Sequence, residues 1–98
     1  VRNAARADAN QEEIVSALRA AGYVVWNIRH PVDLLVSYPG GWLPLEIKDG
    51  SKPPSARKLT PDQQEFIRTA LGPVAVVTDV ESALRALTAA RGQNVKKA

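Results

Sequence analysis

The chain has 98 residues, no cysteine, one histidine and a formal net charge of +3, which suits a single domain with a modest core. Disulfide frameworks and thiolate metal sites are excluded, a histidine-rich zinc site has no ligands, and no apolar stretch approaches the ~20 residues of a membrane span. Apolar and charged fractions of 45% and 23% are those of a soluble intracellular globular protein, and the mildly basic balance permits nucleic-acid binding.

From about Ala9 to Ala21 the pattern is helical. Ile14, Ala17, Leu18 and Ala21 form an apolar stripe, with Glu12, Glu13 and Arg19 elsewhere on the surface. Asp8 or Asn10 can cap its start, and Gly22 ends it. The run YVVWNI (23–28) is β-branched and aromatic and reads as a strand, broken by His30–Pro31. VDLLVS (32–37) is a second strand, YPGG (38–41) a turn and WLPLEIK (42–48) a third strand. Residues 49–59 are too polar and too broken for a core element and read as a loop. Thr60, Pro61 and Asp62 form a helix start, with a hydroxyl cap, a first-position proline and an acid in the first turn. That helix is predicted through Leu71, with Phe66, Ile67 and Leu71 inward, and Gly72–Pro73 terminates it. VAVVT (74–78) suits a buried central strand. Asp79 opens a last helix with Val80, Ala83, Leu84 and Leu87 facing in. Residues 1–91 are expected to form one α-β-β-β-α-β-α domain, an α/β sheet with helices packed on it, followed by a frayed basic tail over 92–98.

The stretch LPLEIKDG (43–50) raises the functional question. Leu43, Leu45 and Ile47 share one parity, and Glu46 and Lys48 share the other. In the preceding strand, Val32, Leu34 and Val36 share one face. A register slip of one residue would turn an entire apolar set into water. The register that keeps both sets together pairs Val36 with Leu43, Leu34 with Leu45 and Val32 with Ile47. It sets Asp33 opposite Glu46, with Lys48 diagonal on the same face, where cross-strand neighbours lie ~5 Å apart.

Two carboxylates placed opposite each other repel unless something neutralises them. One reading is a solvated hairpin carrying weak ion pairs. The other is a divalent-cation site whose oxygen ligands suit Mg²⁺ or Mn²⁺, beside a lysine that orients water or stabilises charge developing on a phosphate.

Helix, three strands carrying D…E-x-K, then helix and strand resembles the PD-(D/E)XK nuclease superfamily, and within it the small stand-alone VRR-NUC proteins of phages and prophages. DANQEEIVSALRAAG, DLLV, LEIKDGSKPPSARKLTPDQ and VAVV carry the resemblance, over most of residues 8–80. It implies an αβββαβ nuclease core with an additional C-terminal helix. It also implies metal binding by Asp33, Glu46 and the backbone carbonyl of Ile47, with Lys48 catalytic. An acid from the first helix is implied as well, here Glu13, with Glu12 and Gln11 as neighbours, and Gln63 falls where the family keeps a glutamine near the site. The family has proline immediately before the aspartate, whereas this chain has Val32 there and Pro31 one position earlier.

Lys52, Arg57 and Lys58 lie in the loop after the acidic strand, and Arg29 precedes Asp33. They are candidate contacts to a DNA backbone. The resemblance further implies a homodimer that cuts branched or double-stranded DNA, in the manner of Holliday junction resolvases, in the cytoplasm of a bacterial host. Trp26, Tyr38 and Trp42 are candidates for its interface. The expected activity is a metal-dependent, structure-selective endonuclease. The alternative is a DNA-binding module that keeps the fold without the chemistry.

Overall fold

The computed structural model describes residues 10–96. Among them helix α1 (Gln11–Ala20), strands β1 (Val24–Asn27), β2 (Leu34–Tyr38) and β3 (Gly41–Ile47), helix α2 (Pro61–Thr69), strand β4 (Ala75–Val77) and helix α3 (Val80–Lys96) follow in that order. The strands lie side by side as β1-β2-β3-β4, the first three antiparallel and β4 parallel to β3. The fold is mixed α/β, in the element order the sequence predicts. Among the described residues no helix is long and apolar enough to cross a membrane.

The hairpin register is the one that burial requires. Leu34 pairs with Leu45, Val36 with Leu43, and Tyr38 with Gly41. Pro39 and Gly40 make the connection, with Gly40 at φ +103°, as the third residue of a type II turn needs. Val32 and Ile47 are both buried, yet the expected pairing between them is not made. β2 begins only at Leu34, and the Ile47 amide donates to the Asp33 carboxylate instead, at 2.8 Å. The reason is a bend over residues 29–33, where Arg29 takes φ +69°. It lifts Val32 out of the ladder and leaves the Ile47 N–H for a side chain.

The core lies on one face of the sheet. Ile14 and Leu18 of α1, Leu34 and Val36 of β2, Leu43, Leu45 and Ile47 of β3, and Leu87 of α3 are almost wholly buried there. α1 and α3 pack on each other and on this face. Asn10, expected as a cap, makes no side-chain cap bond. Its amide donates instead to Thr78 O at 2.7 Å and Lys48 O at 3.4 Å, tying the start of α1 to the ends of β3 and β4. At the sheet edge, Arg19 donates to Val25 O at 2.9 Å, so a guanidinium occupies an edge carbonyl that could otherwise recruit another strand.

α2 and α3 depart from expectation at their C-terminal ends. Ala70 adopts extended backbone, so the chain leaves α2 after Thr69. Leu71, predicted inward, is 104% exposed. α3 runs on through Lys96, where the composition predicts a frayed tail from residue 92. Gly92 inside it costs only about 1 kcal/mol relative to alanine, and the glutamine and lysine beyond it are good helix formers. Asp79 opens α3 as expected, its Oδ1 accepting from the Ser82 amide at 2.7 Å.

Leu45→Ala should cost about 2–5 kcal/mol of stability, because the site is closed on every side. Leu71→Ala should stay within about 0.5 kcal/mol of wild type. Urea denaturation of the two variants checks both halves of this assignment.

Candidate active site

Strand alternation sends Trp42, Pro44, Glu46 and, beyond the strand end, Lys48 to the face opposite the core. The Lys48 amide continues the parallel ladder by donating to Val77 O at 2.9 Å, which holds its side chain on that face. α2 starts over the same place. The capping box that opens it is complete: the Gln63 amide donates to Thr60 Oγ1, and the Thr60 amide donates to Gln63 Oε1 at 3.0 Å. The same Gln63 Oε1 accepts from Lys48 Nζ at 3.3 Å. Lys48 Nζ lies 3.2 Å from Glu46 Oε2. The lysine is thus held between the acid of its own strand and the cap of the next helix.

Glu46 is the buried charged residue of the described chain, 3% exposed. Burial raises its pKa, and the neighbouring Asp33 carboxylate adds to the rise, while the hydrogen bond and charge of Lys48 oppose it. Its Oε2 meets Lys48; Oε1 is buried with no donor aimed at it, and a proton shared with Asp33 raises the pKa further. Asp33 is anchored twice. Its backbone carbonyl accepts from Ile28 and Arg29 amides at 3.0 and 3.2 Å, and its carboxylate accepts from the Ile47 amide. Asp33, Glu46 and Lys48 therefore converge as the alternation predicts, and Gln63 joins them.

Two adjacent carboxylates make an all-oxygen donor set, which fits a hard divalent cation better than zinc. The set is lean. Among the described residues no group of three or more acidic, histidine or cysteine side chains is placed to hold a metal. Glu13 and Glu12 are both exposed on α1, and Gln11 turns to β1, donating to Asn27 Oδ1 at 3.0 Å. The residue of the first helical segment that does reach the acidic strand is Asn10. Sequence reading takes it for a cap, and no local signal announces partners 38 and 68 residues away.

The loop after β3 is closed locally. The Asp49 carboxylate accepts from the Ser51 amide and hydroxyl, which lowers its pKa. Gly50 sits so close to Thr78 that a Cβ there would lie 3.0 Å from the threonine's own, so the dipeptide after Lys48 lets the loop pass tightly under β4. Lys52 and Lys58 are exposed and Arg57 is half-buried, its Nε donating to Lys52 O at 2.8 Å. Arg29 is exposed at the bend before Asp33. His30 Nε2 stands 4.0 Å from Asp62 Oδ2, linking that bend to the first turn of α2. Tyr38 is buried in the core cluster and is not available to an interface. Trp26 and Trp42 are 59% and 51% exposed.

No protein-family model, curated protein or solved structure matches the chain.

The buried acid sets a pH dependence. A carboxyl whose folded pKa is raised contributes stability that is fully present below its ordinary value of 4.5 and is lost as pH rises through the raised value. In EDTA, Glu46→Gln should therefore lose this pH dependence, its melting temperature gaining on that of wild type as pH rises above 4.5. Thermal melts of both proteins across that range check the sign.

Proposed function

We propose that this protein is a divalent-metal-dependent, structure-selective DNA endonuclease of the VRR-NUC type, acting as a homodimer on four-way or otherwise branched DNA. The observation that carries this reading is the buried Glu46, with Asp33 beside it and Lys48 held between it and Gln63. A solvated hairpin does not bury its acid, and burying one beside a second carboxylate is costly unless a cation neutralises them.

Asp33, Glu46 and the Ile47 carbonyl would hold Mg²⁺ or Mn²⁺. When bound, such an ion polarises a phosphate oxygen and lowers the pKa of a coordinated water. Lys48 has three donor hydrogens. Glu46 and Gln63 take two, and the third is left for a phosphate oxygen that gains charge as water adds to phosphorus and the bond to the leaving sugar oxygen breaks. Gln63 keeps the ammonium aimed, and the capping box keeps Gln63 aimed. Lys52, Arg57 and Lys58 in the loop after β3, and Arg29 before Asp33, would supply sequence-independent contacts to the DNA backbone.

The absence of a third carboxylate beside Asp33 and Glu46, among the described residues, favours a second reading, a DNA-binding module with little chemistry. Cleavage decides between them. Labelled four-way junction, flap, single-stranded and linear duplex DNA are incubated with Mg²⁺ or Mn²⁺ and either wild type or Lys48→Ala. Paired symmetric nicks in the junction, reduced on the order of 10²-fold or more by the substitution, are the expected result. Metal-independent binding with no cutting would establish the module.

Metal binding has a readout of its own. Mn²⁺ at about 100 times its dissociation constant should add about 2.7 kcal/mol of stability. Calorimetry should find that increment missing in Asp33→Asn and Glu46→Gln.

A further inference from the structure

The open face of the sheet is covered only in part. α2 sits over the Lys48 end, and no residue of α2 is fully buried. Toward the hairpin turn, one row across the face is Val24, Ser37 and Trp42, and the next is Trp26, Leu35 and Pro44. Glu46 and Val76 form the row after that, with Asp33 just before the start of β2. The first two rows carry no charged side chain. From strand spacing and rise, Trp26 and Trp42 lie about 12 Å from each other and about 12–13 Å from Glu46.

Resting on the nuclease reading above, we propose that this half-open face is a stacking platform for unpaired nucleobases, with Trp26 and Trp42 as its two stacking side chains. Three observations carry it. Both indoles are more than half exposed on an apolar face, with the partly buried Leu35 and Pro44 beside them and the exposed Val24 at its edge. Nothing in their two rows carries a negative charge to repel a phosphate. Finally, the platform is continuous with the acidic row. A second copy seated on the indoles would need roughly 800 Å² per partner, a footprint about 30 Å across. Centred on the tryptophans, it would cover Glu46 and Lys48 as well. The occupant that covers the indoles and still reaches the site is the substrate strand itself.

This names the feature that selects the substrate. Bases in a continuous duplex already stack on their neighbours and offer no free face. Bases unpaired at a branch, flap or single strand do, and aromatic stacking accepts any of them. Selection by structure without sequence follows.

Trp26 and Trp42 are the only tryptophans of the chain, so fluorescence excited at the red edge, where tyrosine does not absorb, reports on the platform alone. The full chain in EDTA is titrated with oligothymidylate and with a blunt duplex, and the titrations are repeated with Trp26→Ala, Trp42→Ala and the two tryptophan-to-phenylalanine variants by labelled-oligonucleotide anisotropy. Expected are quenching by oligothymidylate but not by duplex, an affinity loss of about fivefold or more in each alanine variant, and near-normal affinity in each phenylalanine variant. Equal quenching by the duplex, or unchanged affinity in both alanine variants, overturns the platform. A blue shift that grows with protein concentration, without quenching, overturns it in favour of a second copy. Because no metal is present, these results stand apart from the nuclease assay. Cleavage lost in Lys48→Ala with no stacking would sink the platform alone, and stacking without any metal-dependent cleavage would sink the nuclease alone.

Discussion

The pairing of β2 with β3 is the constraint on which the rest of this molecule depends. Two apolar triplets of like parity face each other across the hairpin, and burying one without the other would expose several large side chains at roughly 1.5–3 kcal/mol each. That cost admits one register. Once it is adopted, the residues of opposite parity have no choice of face, and Asp33 and Glu46 must share the other side. The ladder then stops one pair short, because the chain bends between Arg29 and Asp33. The amide freed at Ile47 is taken by the Asp33 carboxylate, so the acid nearest the bend is fixed by the backbone of the strand that carries its partner.

A buried acid next to another acid is expensive, and the structure offsets that cost with a network rather than a single ion pair. Lys48 supplies the charge, Gln63 holds Lys48, and Thr60 holds Gln63. The cap that starts α2 and the lysine that compensates Glu46 are thus parts of one arrangement. A change in the helix start would be felt at the acid. Even so, burial and the adjacent Asp33 keep the Glu46 pKa raised, so the network compensates the acid only in part.

The two faces of the sheet are unequal. α1 and α3 close one face into the core, while α2 covers only the end of the other where the acids and Lys48 lie. The edge strand β1 is guarded at Val25 by Arg19, which discourages growth of the sheet on that side. Site and surface therefore adjoin, with the acids at the boundary between covered and uncovered sheet.

Much of this is decided by local sequence. Alternation in VDLLVS and WLPLEIK, with Pro39–Gly40 between them, is enough to set the register and to bring Asp33, Glu46 and Lys48 together, because strand parity allows only two faces and a short turn allows little slip. Thr60, Pro61 and Gln63 likewise announce a capped helix within four residues. What local sequence could not decide is how the helices approach the sheet. The bonds of Asn10 to Lys48 and Thr78, the exposure of Glu13, the outward turn of Leu71 and the depth at which Glu46 is buried all depend on contacts between distant segments. Such contacts leave no periodic trace in the chain. Trp26 shows the limit most plainly: strand pattern permits it either a core or a surface, and only the incomplete cover provided by α2 leaves it in the open.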